Sequence, residues 1–195
     1  VKSEVRLRKT STDRDSLSNP NYNFAGITYS VTNKRTSEHV GDLVLDKDGN
    51  ASLGNLPFDT YVLKETKGNE WYNKNDRTYE VTLSPFNVSA TVQAEDAPKQ
   101  GGIQVIKTSS DTVTNDNPNY SFEGIEYTVK NKSTGAIAGT IRLDAGGYGS
   151  LDNLPIGEYT IVESKTNSSF KIDSVAQKTV SVTANGTGTA TFSDT

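Results

Sequence analysis

The sequence contains no cysteine and no methionine, and it has one histidine and one tryptophan in 195 residues. Without cysteine there is no disulfide framework, no thiolate zinc site and no cysteine nucleophile. His39 falls in a stretch read as a loop and is replaced by Ile137 in the repeat described below, so it reads as a solvated side chain rather than a catalyst. A Ser-His-Asp set is thereby excluded. No apolar run approaches the ~20 residues of a membrane-spanning helix, and the first residues lack the charged-then-apolar order of a secretion signal. The expectation is an internal or mature segment of a longer protein, with no membrane insertion in this stretch. Charge of one sign is not in excess either. Residues 1–98 carry 12 Lys and Arg against 14 Asp and Glu, and the remainder carries 8 against 10, so each half stands at −2. That balance offers no electrostatic basis for binding nucleic acid or an anionic membrane.

What the chain does contain is alternation. Leu, Ile, Val, Tyr, Phe and Thr recur with period two in short runs bounded by Gly, Asn, Asp and Pro, and no stretch sustains a helical period. The first half predicts strands at Glu4–Thr10, Ile27–Asn33, Gly41–Asp46, Ala51–Leu53, Tyr61–Thr66, Thr78–Leu83 and Ser89–Glu95. Seven short strands predict a β-sandwich. The second half repeats the first at an offset of 98, which predicts two whole domains in tandem, 1–98 and 99–195, rather than a solenoid. Ala97-Pro98-Lys99-Gln100-Gly101-Gly102 reads as a short link with a stiff and a flexible end. Asp46-Lys47-Asp48-Gly49-Asn50 and Asp144-Ala145-Gly146-Gly147 read as hairpin loops. Part of the first resembles a calcium loop, but its copy loses Asp48 and no bidentate Glu follows, so a turn without metal is expected.

Three charged residues in each half lie on the wrong face. In Val5-Arg6-Leu7-Arg8-Lys9 the parity of Val5 and Leu7 carries Lys9 inward, and Ile103, Val105 and Lys107 repeat it. Tyr61, Leu63 and Glu65 share a face, as do Tyr159, Ile161 and Glu163. Val92, Ala94 and Asp96 share another, repeated by Ala190, Phe192 and Asp194. The three pairs keep one offset of 98 (107 − 9, 163 − 65, 194 − 96). A buried amine either pairs with a carboxylate or loses its proton. A buried ion-pair cluster gains little over apolar packing. The sharper chemistry is covalent. Desolvation favours a neutral amine beside a protonated acid, so the Lys9 nitrogen can attack the Asp96 carbonyl while Glu65 polarises it and shuttles protons. Fixed contact in a folded core supplies effective molarities of about 10⁵–10⁸ M for a condensation that is slow in water. No cofactor is needed.

Other positions carry weaker signals. Trp71 and Tyr72 align with Ser169 and Phe170; the aromatic at 72 reads as core and Trp71 as a loop lid over it, while in a ligand-binding module Trp71, with nearby Tyr72, Asn73 and Lys74, would contact a glycan or a host matrix protein. Asn87, Asn131, Asn167 and Asn185 lie in Asn-x-Ser/Thr triplets, which arise readily in a Ser/Thr-rich chain.

Lys in the first strand, Gly-Ile-x-Tyr opening the second, Asp-x-x-Gly, Asn-Leu-Pro followed by Tyr-x-Leu/Ile-x-Glu, and a terminal Asp together resemble the collagen-adhesin B-type (CnaB-like) domain of Gram-positive surface proteins. The resemblance covers nearly all of both halves. It implies an all-β fold of two tandem reverse-immunoglobulin, transthyretin-like Greek-key sandwiches, each with a spontaneous isopeptide bond: Lys9 to Asp96 assisted by Glu65, and Lys107 to Asp194 assisted by Glu163. The acceptor is Asp where the family more often has Asn, so water rather than ammonia would leave. The family's Pro and Gly-Tyr after the Glu are absent, replaced by Gly68–Tyr72 and Thr166–Phe170. The implied role is a stalk or spacer in a cell-wall-anchored adhesin outside the bacterial cell, joined to neighbouring domains of a longer surface protein. A pilus shaft subunit and a ligand-binding adhesin module are the alternatives, and an enzyme acting on an external substrate is not expected.

Overall fold

The computed structural model describes residues 3–172 and 176–194. The chain divides after Lys99 into two compact units. Unit 1 contains β1 (Glu4–Ser11), α1 (Arg14–Leu17), β2 (Thr28–Asn33), β3 (His39–Val44), β4 (Asn50–Gly54), β5 (Thr60–Lys67), β6 (Thr78–Thr82) and β7 (Ser89–Asp96). Unit 2 contains β8 (Gln100–Ser109), α2 (Thr112–Asn115), β9 (Glu126–Asn131), β10 (Ile137–Arg142), β11 (Tyr148–Pro155), β12 (Gly157–Lys165), β13 (Gln177–Val182) and β14 (Thr187–Asp194). The alternating segments became strands with ends shifted by at most a residue or two. Period two did not reveal the single-turn helices α1 and α2, which start at Asp13 and Asp111, each accepting a backbone N–H two residues on.

In unit 1 the sheet β4-β1-β7 faces the sheet β3-β2-β5-β6; in unit 2 β11-β8-β14 faces β10-β9-β12-β13. The first and last strands of each unit are adjacent and parallel, with Lys9 opposite Ala94 and Ser11 opposite Asp96, and Lys107 opposite Phe192 and Ser109 opposite Asp194. All other pairs are antiparallel. Burial alternates strictly along β1 and β7, so Val5, Leu7, Ala90, Val92 and Ala94 are buried, as are Tyr29, Val31, Tyr61 and Leu63 of the other sheet. Each buried Tyr61 and Tyr159 satisfies its hydroxyl on a carbonyl four residues back, Pro57 and Pro155, at 2.7 Å.

Two expectations from the sequence are corrected. Asp46–Asn50 does not close a hairpin, because β3 and β4 lie in different sheets. It is a corner between the layers, held by Asp46 Oδ1, which accepts the N–H groups of Asp48 and Asn50 at 2.9 and 3.0 Å. That carboxylate oxygen is committed to backbone, and no group of three or more potential metal ligands occurs among the described residues. Gly101 and Gly102, read as the flexible end of a link, are paired inside β8. A Cβ on Gly101 would stand 2.2 Å from the Thr183 carbonyl, so close approach and not flexibility explains that glycine. No helix among the described residues is long and apolar enough to cross a membrane.

The corner also fixes β1. Gly49 accepts the Lys9 N–H through its carbonyl at 2.8 Å, has φ +85, and a Cβ there would lie 2.4 Å from the Lys9 carbonyl oxygen; Gly147 does the same against Lys107. Gly49→Ala is therefore expected to destabilise unit 1 by roughly 2 kcal/mol or more in guanidinium unfolding. Gly54→Ala, whose Cβ meets nothing, should stay within about 0.5 kcal/mol. Equal behaviour of the two variants would remove the close-approach explanation.

Candidate functional site

Strand parity and the parallel pairing of β1 with β7 bring three charges together between the sheets of unit 1. Asp96 lies two residues past Ala94, the partner of Lys9, and so shares its face on the neighbouring strand. Glu65 comes from the opposite sheet, on β5, directly across from Tyr29 on β2. A bulge sits beside that pair: Thr66 has no opposite number, and its hydroxyl bonds the Thr28 carbonyl at 3.3 Å. Unit 2 repeats the arrangement, with Glu163 opposite Tyr127 and Ser164 bonding the Glu126 carbonyl at 3.3 Å.

Lys9, Glu65 and Asp96 are 2%, 0% and 1% exposed. Lys9 Nζ donates to Glu65 Oε2 at 3.0 Å and to the Tyr29 hydroxyl, and it lies 4.6 Å from the centre of the Tyr29 ring. Glu65 Oε2 also accepts from Tyr29 at 3.4 Å and from the Asn75 backbone N–H at 3.2 Å. Asp96 Oδ2 stands 2.6 Å from Lys9 Nζ, yet neither Asp96 oxygen accepts an aligned hydrogen bond. Burial pushes the Asp96 carboxyl up to about 6, the Lys9 ammonium pulling the other way and the Glu65 charge adding to the rise. Burial, followed by the charges of Glu65 and Asp96, pushes the Tyr29 phenol well up, so it keeps its proton.

In unit 2, Lys107 Nζ donates to Glu163 Oε2 at 2.9 Å and to the Tyr127 hydroxyl at 3.0 Å, both out of solvent. The backbone of Asp194 occupies the position on β14 that Asp96 occupies on β7; its side chain lies outside the described residues. Tyr29 and Tyr127 escaped the sequence reading as site residues, although their separation is the same 98 positions and their parity with Ile27 and Ile125 turns them inward. Asn75 acts through its backbone, for which side-chain patterns carry no signal.

The segment after β5, which departs from the resembling family, is pinned by Asn69. Its amide donates to the Asn23 carbonyl at 2.8 Å, and its Oδ1 accepts from Trp71 and Tyr72 at 3.0 Å each. Asn167 serves the same purpose in unit 2, donating to the Ser121 carbonyl at 2.7 Å. The candidate ligand contact Tyr72 is corrected: it is 0% exposed and stacks on Phe24 at 4.5 Å, because an aromatic ring is needed to close the core at this end, as Phe170 does on Phe122 at 4.6 Å. Trp71 is half-buried, 5.3 Å from Tyr22, and its carbonyl accepts the Lys99 N–H at 2.8 Å. His39 is exposed and contacts Asp42 at 2.8 Å. Asn87 and Asn131 spend their side chains on local turns.

A family model described as the SpaA prealbumin-like fold domain matches the chain over residues 4–98 and again over 101–195. No curated protein sequence matches it. Among solved structures, the Bacillus anthracis TIE protein is 18% identical with a TM-score of 0.75, the match covering 99% of this chain and 34% of that one, so the chain spans about a third of that structure's length. A C-terminal fragment of the pilus adhesin SpaC from Lactobacillus rhamnosus GG is 13% identical with a TM-score of 0.53, covering 100% of this chain and 98% of that one. At such identities the likeness is one of fold.

The two adjacent aromatics are expected to separate in thermal unfolding. Tyr72→Ala should cost unit 1 about 3–5 kcal/mol, and Trp71→Ala well under half of that, since its ring is half-buried. Comparable losses would contradict the assignment of Tyr72, rather than Trp71, to the core.

Proposed function

The chain belongs to the family of SpaA prealbumin-like fold domains, which it contains twice, and on that premise we propose that each unit is a structural module closed by a spontaneous amide between its first and last strands. The bonds join Lys9 to Asp96 and Lys107 to Asp194. The observation that carries the proposal is the 2.6 Å approach of Lys9 Nζ to an Asp96 carboxyl that accepts no hydrogen bond, in a site closed to solvent. The state with Lys9 as ammonium, Glu65 ionised and Asp96 protonated is neutral overall, which suits burial. Glu65 takes one proton from the ammonium through their 3.0 Å contact. The freed lone pair attacks Asp96 Cγ, the C–N bond forms, and the Cγ–O bond to the hydroxyl breaks as that oxygen leaves as water with a second proton from nitrogen. An amide N–H, one water and a protonated Glu65 account for every proton. Exclusion of water then disfavours hydrolysis.

The placement of the bond supports a mechanical use. Tension entering β1 crosses to β7 at Lys9 and leaves just beyond Asp96, so the strands between carry no load. Lys9 and Asp96 close 87 positions (96 − 9), which by analogy with a disulfide is worth about 4–5 kcal/mol and needs no oxidant. The role that follows is a stalk or spacer in an extracellular, cell-wall-anchored Gram-positive surface protein. The fold likeness to the SpaC fragment keeps a pilus subunit as the second reading; a subunit would run in detergent-resistant polymers and a stalk would not.

Intact mass of the denatured chain tests the chemistry. The wild type should lack two waters, Lys9→Ala and Lys107→Ala one each, and the double variant none; full translated mass in the wild type overturns the proposal. The rate should also depend on pH. Asp96 must be protonated to lose water and its carboxyl sits at about 6, so bond formation in unit 1 should slow as pH rises through that value. A rate that climbs steadily into alkaline pH would show that the free amine, not the protonated acid, is limiting.

A further inference from the structure

Building on the cross-link proposed above, we infer that Tyr29, and Tyr127 in the second unit, is a positioning residue that aims the lysine lone pair at the acceptor. Three groups surround Lys9 Nζ: the Tyr29 hydroxyl, Glu65 Oε2 and Asp96 Oδ2. The first two accept hydrogen bonds from the nitrogen; the third touches it at 2.6 Å without one. A neutral amine has two hydrogens and one lone pair. Once Glu65 has taken its proton, a turn of the amine about Cε–Nζ that keeps one hydrogen on the Tyr29 oxygen and brings the other to Glu65 leaves the lone pair facing Asp96. If the phenol oxygen were missing, an N–H would be free to turn to Asp96 instead, and an amine that donates to its electrophile cannot attack it.

The phenol suits this task because it stays neutral in the buried site and both accepts and donates. It receives the Lys9 hydrogen and gives its own to Glu65 Oε2 at 3.4 Å, tying the base to the same geometry. The groups facing it are Lys9 on β1, Glu65 on β5, Asp96 on β7 and Tyr79 on β6. Unit 2 supplies an independent copy: Lys107 Nζ to the Tyr127 hydroxyl at 3.0 Å and to Glu163 at 2.9 Å, with the nitrogen 5.5 Å from the ring centre. Ring packing by itself does not explain a tyrosine in both copies, since phenylalanine fills the core equally well and stands at position 170 where unit 1 has Tyr72.

The test is the rate of water loss by intact mass after timed cell-free synthesis of the full chain, in a Lys107→Ala background so that only unit 1 reports. Tyr29→Phe keeps the ring and removes the hydroxyl. It is expected to slow bond formation on the order of tenfold to a hundredfold, and to alter the rate–pH profile because the lost hydroxyl bonds both Lys9 Nζ and Glu65 Oε2. Protease resistance of the product should match that of the parent. A Tyr29→Phe rate and pH profile equal to the parent's would overturn the inference while leaving the cross-link intact. Absence of water loss in the Lys107→Ala parent would instead overturn the cross-link itself. Tyr127→Phe in a Lys9→Ala background repeats the test in unit 2, and slowing in only one unit would refute a shared role.

Discussion

One lysine side chain held out of water between two carboxyl groups is the constraint around which unit 1 is arranged. Such a group is unfavourable in a β-sandwich interior unless its charge is matched and its hydrogens are placed. The structure meets both demands with groups from four strands: Lys9 from β1, Asp96 from β7, Glu65 from β5 and Tyr29 from β2. Glu65 is held in turn by the Asn75 N–H, and the Asn75 side chain reaches the Glu95 carbonyl on the strand carrying the acceptor at 3.2 Å. Even the backbone of Lys9 is fixed, by the inter-sheet corner at Gly49.

The parallel pairing of first and last strands is what gives the proposed cross-link a mechanical meaning. Were β1 and β7 on opposite edges, a Lys–Asp contact would join two internal points and leave the ends free to peel. Because they are neighbours, Lys9 and Asp96 sit diagonally on one face, toward the C-terminal ends of both strands and close to where the chain leaves the unit. The proposed bond there would confine the load-bearing path to β1 up to Lys9 and the chain beyond Asp96.

Both units bring a lysine, a glutamate and a tyrosine together and vary the surroundings. In unit 1 the end of the sandwich is covered by Tyr22, Phe24, Trp71 and Tyr72, with Ser16 bonded to Ser11 at 2.6 Å beneath them. In unit 2 Phe170 stacks on Phe122 and Tyr120 is half exposed, with Ser169 in place of Trp71. Packing at the end of a sandwich tolerates substitution of one apolar shape by another. A set of buried charges does not, because each member is the partner another member needs.

Strand positions, the tandem repeat and the inward parity of Lys9, Glu65, Asp96 and their copies were determined by the sequence alone, since side chains in a strand alternate with a period of two and a charge on the apolar parity is visible without coordinates. That Lys9, Glu65 and Asp96 belong together was read from their shared repeat offset and from the family resemblance, not from any local pattern of contact. Their meeting depends on β1 pairing with β7 and on the second sheet lying across them, contacts between residues 56 to 87 positions apart (65 − 9, 96 − 9) that no local pattern encodes. The same limit hid the corner at Asp46–Asn50, whose strands look like a hairpin until they are assigned to different sheets, and the close approach that requires Gly101. Tyr29 shows the boundary most clearly. Its inward parity and its repeat at Tyr127 are in the sequence, but an inward tyrosine is ordinary core until the tertiary structure puts its hydroxyl against an amine.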